Sequence, residues 1–341
     1  MTSVAISDPF APLIGQPQAV KLLRQAVQQR QVAPAYLFVG PDGIGRRLAA
    51  RCFAALLFTH ETGRVPVKCV DTLHRRLAAG NHPDLFWIEP TYLVSGKQIT
   101  RTEAIATGVT RKTPPIIRLG QIRALERALS RPPLEAARHL VVLDAAEAMQ
   151  EAAANGLLKT LEEPGRATLI LLVPSLESIL PTLVSRCQRI PFVRLDPTAM
   201  ATILQTTGHA DILDHSEVMA MAQGSPGQTI QAWEHLQNLP EDLHPLLQTK
   251  VATPHQALTW ARAIDRTLDL AAQLWLIDYL QQVFWQQCHQ PDPSELMRQI
   301  QSLEHAKRLL QRSVQPRLVW EVTLLQLQTD VRLSVSGLTP V

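Results

Sequence analysis

Short apolar runs recur with helical patterns between them up to about residue 193, and after residue 194 the runs stop. This alternation restricts the fold more than any other feature of the chain. The runs are Ala35–Val39, Leu85–Ile88, His139–Leu143, Thr168–Val173 and Arg189–Val193. Three of them are nearly continuous, with no polar residue at every second position, as expected of strands covered on both faces. Helical patterns fill the spaces at Pro17–Gln29, Arg46–Leu57, Leu119–Ser130 and Ala145–Glu163. In the third, Leu119, Ile122, Leu125 and Leu129 share a face while Arg118, Arg123 and Arg127 point elsewhere. Strands alternating with helices predict an α/β domain with a parallel sheet.

Beyond this region only helical patterns remain. They cover Asp196–Gly208, Ser216–Gln223 and, after the breaker Gly224-Ser225-Pro226-Gly227, a stretch through Leu236. A polar, proline-containing segment, Asn238–His255, leads to longer patterns at Thr267–Gln287, Pro293–Ser313 and Pro316–Val331. The first of these is apolar nearly all round its early turns (Leu268, Leu274, Trp275, Leu276, Ile277), so it is expected to be packed on several sides. The expected organisation is three domains: α/β over residues 1–194, small helical over 195–238, and all-α over 239–341.

Composition narrows the function. Hydrophobic residues make up 46% of the 341, enough for packed cores. A net charge of +3 is too small to argue for nucleic acid or an anionic membrane. The four cysteines, Cys52, Cys69, Cys187 and Cys288, lie far apart and form no C-x-x-C pair, against a disulfide-stapled module. No apolar run reaches the roughly 18 residues of a membrane span. The first residues lack the basic and apolar regions of a secretory leader. A cytoplasmic protein is expected.

The chemistry sits after the first apolar run, at Gly40-Pro41-Asp42-Gly43-Ile44-Gly45-Arg46-Arg47. A G-x-x-x-x-G-K-[ST] loop between strand and helix cradles phosphates on backbone N–H groups. Gly40 and Gly45 meet its glycine spacing, with Gly43 between, but Arg46 stands in place of lysine and Arg47 in place of the Ser/Thr hydroxyl. The lysine exchange is not conservative, and an arginine cannot ligate magnesium. The run Leu140–Asp144 ends in the aspartate that would hold the same metal, or alternatively cap a helix. It is followed by Ala145 where a water-polarising glutamate would be needed; Glu147, two residues on, would point elsewhere if a helix begins here. With three catalytic parts missing, no intrinsic ATPase is expected and no resident cofactor. The loop is either a structural turn or a retained nucleotide site.

Asn155–Pro164 (NGLLKTLEEP) and Ser185-Arg186-Cys187 are the most specific segments. With Leu13-Ile14-Gly15-Gln16, Asn81-His82-Pro83-Asp84 and Gln315–Leu325, they make the chain resemble the clamp-loader branch of the AAA+ proteins over nearly its whole length. The resemblance implies an AAA+ P-loop-type parallel sheet domain, a helical lid and a helical collar, working in a hetero-pentameric ring with gamma/tau and delta subunits. Sliding clamp and primer–template DNA are implied as indirect partners. It further implies that Arg186 is an arginine finger reaching a neighbour's ATP in trans, with Ser185 and Cys187 as its structural setting. The altered loop makes this a non-hydrolysing member; an active gamma/tau-like ATPase with Arg46 for lysine is the alternative, and a free-standing DNA-binding protein a third reading. The sensor positions of the family fall on Val173, without Thr or Asn, and on Pro226-Gly227-Gln228, without arginine. The family's zinc module is reduced to Cys69 with Asp71, His74 and His82, so no metal is expected. Eight basic residues between 101 and 138 (Arg101, Arg111, Lys112, Arg118, Arg123, Arg127, Arg131, Arg138) form either a solvated face or a DNA-facing patch. His82 is expected to be a turn residue.

Overall fold

The computed structural model describes residues 8–62, 72–73, 75–77, 79–94, 96–100, 103–104, 114–248, 251–286, 293–312 and 314–328. The chain forms two compact units: residues up to Thr206 with Gly224–Gly227, and Thr207–Gln223 with the chain from Gln228 onward.

In the first unit, β1 (Ala35–Val39), β2 (Leu85–Ile88), β5 (His139–Leu143), β6 (Ala167–Val173) and β7 (Gln188–Pro191) form one parallel sheet in the order β2-β5-β6-β1-β7. Every residue of β5 and β6 is buried, which is why their sequences show no alternation. On one face Leu37, Leu143, Leu169 and Leu171 pack with α3 (Leu119–Leu129) and α4 (Glu151–Glu162), through Ile122, Leu125, Leu157 and Leu161. On the other, Tyr36 meets Phe53 of α2 (Arg46–Thr62) edge-on at 5.3 Å. Neighbouring residues of a strand point to opposite faces, so Tyr36 and Leu37 serve different layers. The helix α1 (Pro17–Gln28) buries Ala19, Leu23, Ala26 and Val27, one stripe of its surface.

The expected helix Ala145–Glu163 begins six residues late, at Glu151. Ala145 takes a left-handed conformation (φ 49°), Ala146–Ala148 form one 3₁₀ turn, and Met149 and Gln150 are extended. The cause is tertiary: Ile117 donates to Ala148 O at 2.9 Å and accepts from Gln150 N–H at 3.0 Å, holding the segment as a bridge rather than a helical turn. Asp144 is therefore not a helix cap. A hairpin, β3 (Thr91–Val94) with β4 (Lys97–Thr100), was not foreseen; Gly96 at φ 81° supplies its turn.

Among the described residues the second unit is helical throughout. Within the segment read as polar lies a short helix, His244–Gln248, and an unforeseen helix, Pro254–Thr267, follows. Thr253 caps it by accepting from Gln256 N–H, with proline at the first helical position, a start signal readable in T-P-x-Q. The pattern expected at Thr267–Gln287 is the helix Leu270–Gln286, whose Leu276, Ile277 and Leu280 are buried with Trp260, Ile264, Leu303 and Trp320. Trp320 Nε1–H donates to Gln273 Oε1 at 3.0 Å, and Gln273 Nε2–H donates to Leu268 O at 2.9 Å. Replacing Gln273 with leucine strands a buried indole N–H, so Gln273→Leu is expected to cost about 1–3 kcal/mol in denaturant unfolding. An unchanged midpoint would contradict that role.

Candidate functional site: a glycine loop whose metal position holds arginine

The loop follows β1 directly. Gly40 N–H donates to Val173 O at 3.2 Å, and a Cβ on Gly40 would lie 2.5 Å from Phe192 O, so only glycine fits between β1 and the exit of β7. Gly45 (φ 101°) turns the chain into α2. Three consecutive loop carbonyls are held from outside: Asp42 O by Ser225 Oγ–H (2.6 Å), Gly43 O by Gly227 N–H (2.9 Å) and Ile44 O by Gln16 Nε2–H (3.3 Å). In a trans peptide the next N–H opposes the carbonyl, so the N–H groups of Gly43, Ile44 and Gly45 turn the other way, at the N-terminus of α2. Gln16 also exchanges two hydrogen bonds with Val193, which explains why β7 ends at Pro191, earlier than expected.

Arg46 is 9% exposed; its Nη2 reaches back to the Asp42 carboxylate, while Nη1 is buried and has no hydrogen-bond partner among the described residues. Arg47 turns toward the end of β5. Its Nε lies 2.6 Å from Asp144 Oδ2, its Nη2 bonds Glu89, and its guanidinium stands 5.8 Å from the Trp87 ring centroid, with Arg51 over the same ring at 5.3 Å. A divalent cation on Asp144 would have to displace this guanidinium. The residues present do not fit magnesium. Glu147, expected to point elsewhere if a helix began at Ala145, is close enough to the loop to feel it. Burial pushes its carboxyl up, the Asp42 and Asp144 charges add to that, and its own backbone N–H and Arg46 oppose it.

Ser185, Arg186 and Cys187 lie between the short helix Pro181–Val184 and β7. The Arg186 side chain is 38% exposed and is held by Glu162, the first glutamate of the EEP sequence, through Nε (3.1 Å) and Nη2 (2.7 Å). Its Nη1 donates to Thr182 O at 3.0 Å, and Ser185 Oγ–H donates to the same carbonyl. Cys187 packs against the sheet core, and burial pushes its thiol up to about 11, so it is a packing residue. Sequence reasoning brought Arg47 and Asp144 to one site but missed Glu89, and it named Gln16, Ser225 and Glu162 within motifs without foreseeing what they hold.

The Asn81–Asp84 turn is structural. His82 stacks on Phe58 at 4.6 Å, and its Nδ1 accepts from Asp84 N–H. Asp84 is fully buried, and its carboxylate accepts from the N–H groups of Leu134, Glu135 and Ala136 at 2.7–2.8 Å. Of the basic residues, Arg101, Arg111 and Lys112 lie outside the described residues. Arg118 is spent on Thr91 and Arg138 bonds Thr168, while Arg123, Arg127 and Arg131 are exposed. Cys69, Asp71 and His74 also lie outside; among the described residues no cluster could hold a metal ion, and no helix is long and apolar enough to cross a membrane.

The parallel sheet in this order, with a glycine loop after β1 and an aspartate after β5, defines an AAA+-type module whose nucleotide loop is altered. Residues 15–196 match the family model "DNA polymerase III, delta subunit", and residues 198–327 match "Cyanobacterial DNA polymerase III delta prime, C-terminal domain". The chain belongs to the DNA polymerase III delta prime family. It is 33% identical over 186 residues to DNA polymerase III subunit delta′ of Bacillus subtilis, covering 54% of this chain and 50% of that protein. It is 31% identical over 242 residues to the subunit of the same name from Pseudomonas aeruginosa, covering 67% and 66%. The chain thus spans half to about two thirds of these relatives. A solved DNA polymerase III gamma subunit-related protein from Thermotoga maritima shares the fold, with a TM-score of 0.51 and 17% identity over 92% of this chain and all of that one.

Proposed function

We propose that this chain is a non-hydrolysing subunit of a bacterial clamp loader, acting in the cytoplasm within a hetero-pentameric ring of gamma/tau and delta subunits. It lends Arg186 to the ATP of a gamma/tau neighbour while the ring places the sliding clamp on primed DNA. The three-domain division expected from the sequence suits this role, with a helical collar for assembly. The observation that carries the reading is the contrast between its two arginine sites. Arg47, though half exposed, is paired with Asp144 and Glu89, where a metal would be needed, while Arg186 is paired at the surface with Glu162 and donates to the Thr182 carbonyl, away from any acidic residue of the loop. A head-to-tail ring uses different faces toward each neighbour, which suits one inert site and one donating side chain.

The purified chain is expected to show no ATP turnover above buffer, and its addition to gamma/tau with delta is expected to raise theirs. Turnover by the chain alone at the rate of a subunit with an intact loop would establish the active-ATPase alternative instead.

A further inference from the structure

Arg186 is held by its own chain at every guanidinium nitrogen. Nε and Nη2 donate to Glu162 Oε1 at 3.1 and 2.7 Å, and Nη1 donates to Thr182 O at 3.0 Å and lies 3.5 Å from Ser185 Oγ. The edge formed by Nε and Nη2 is one through which a guanidinium grips a phosphate with parallel N–H groups. In this chain a carboxylate already occupies it. Glu162 also stands where a helix least favours an acid. It is the last residue of α4, at the end whose free carbonyls stabilise cations and disfavour anions. Among the described residues Arg186 is its only side-chain partner, and a side chain 53% exposed can turn to water.

From this arrangement we infer that Glu162 is the resting acceptor of Arg186, a positioning residue that holds the guanidinium at the surface until a neighbour's phosphate takes the same edge. The inference deepens the proposed function and rests on it. On exchange Glu162 Oε1 leaves, a phosphate oxygen takes over Nε and Nη2, and the Thr182 carbonyl keeps Nη1, so the guanidinium stays in place. An exposed ion pair is worth an equilibrium factor of about five at most, so the contact taxes capture without preventing it. Glu162 thereby sets the ATP concentration at which Arg186 engages and takes no part in the chemical step.

The test uses Glu162→Gln, which keeps the shape and removes the charge, in a loader reconstituted with gamma/tau and delta. In single-turnover measurement at the served site, half-maximal rate is expected at an ATP concentration about three- to fivefold lower, with the maximal rate changed by less than about twofold. In an Arg186→Ala background the same substitution is expected to change neither quantity. In the isolated chain, nitrogen-15 NMR of the arginine side chains is expected to show the Arg186 Nε–H protected from solvent exchange, and Glu162→Gln to remove that protection. An unchanged half-maximal concentration would overturn the inference. So would a tenfold fall in the maximal rate, which would make Glu162 orient Arg186 during chemistry. An equal shift in the Arg186→Ala background would overturn it as well, since the carboxylate would then act on ATP directly, and so would an unprotected Nε–H in the parent chain. Arg186→Ala hydrolysing at the parent rate would sink the proposed function and this inference with it, whereas a slowed Arg186→Ala beside an indifferent Glu162→Gln would sink this inference alone.

Discussion

Arg186→Ala is expected to leave the protein folded and, on the role proposed above, to leave the ring assembled while the neighbouring subunit's ATP site slows by about a thousandfold. Folding survives because Arg186 and Glu162 form an exposed ion pair, with side chains 38% and 53% accessible. Such pairs contribute about 0–1 kcal/mol. The loss at the neighbour is large because a guanidinium on the transferring phosphoryl group acts where charge develops and water is excluded. In the proposed ring the other ATP sites would keep their own partners, so bulk turnover should fall by the share of one site, which single-turnover measurement resolves. Arg186→Lys should recover only part of the rate, since lysine lacks the planar fork. An alanine variant that assembles and hydrolyses at the parent rate would remove this side chain from the mechanism. Nε and Nη2 of Arg186 both donate to a single oxygen of Glu162, Oε1, so the pair is exchangeable for another anion.

Asp84→Ala is expected to destabilise the first unit by about 3–5 kcal/mol in denaturant unfolding, because it leaves three backbone N–H donors and His139 without their anion. The carboxylate has no exposure and fastens residues 134–136 to the start of β2, with His139 Nδ1 3.6 Å away. Burial pushes its pKa up, but the donors from Leu134, Ala136 and Glu135, together with His139, outweigh burial and hold it below the ordinary aspartate value. The sign follows from linkage. A folded-state value below the unfolded one means that stability is fully present above about pH 4 and is lost as pH falls through the lower folded value. The parent should therefore lose stability on acidification more steeply than Asp84→Asn, which has no such proton to take up. Equal acid sensitivity of the two proteins would show that the carboxylate is not the group responsible.

The correction at Asp144 shows why a local pattern misled. Apolar spacing from Ala145 onward is helical, and an aspartate before such a run is a reasonable cap. The chain does otherwise because Ile117 claims the backbone of Ala148 and Gln150, and because Arg47 claims the Asp144 carboxylate. The unforeseen helix Pro254–Thr267 is a different kind of miss: its start was written locally in Thr253-Pro254, but a polar neighbourhood concealed it. The loss of lysine, hydroxyl and glutamate at positions 46, 47 and 145 was legible because each is a fixed offset within a short motif. What replaced their chemistry was not.

Read alone, the chain's periodicities and motif offsets were enough for a parallel sheet buried on both faces, a helical remainder and a glycine loop lacking the lysine and hydroxyl of a phosphate loop. Those properties depend on neighbours a few residues apart, and covalent geometry turns such spacing directly into faces of strands and helices. Only the tertiary structure decided that Arg47 covers Asp144, that Glu162 holds Arg186, and that Gln16 ties Val193 across 177 residues of chain. An ion pair or hydrogen bond between distant segments needs only complementary groups brought together by packing, and it leaves no period in the sequence from which it could be read.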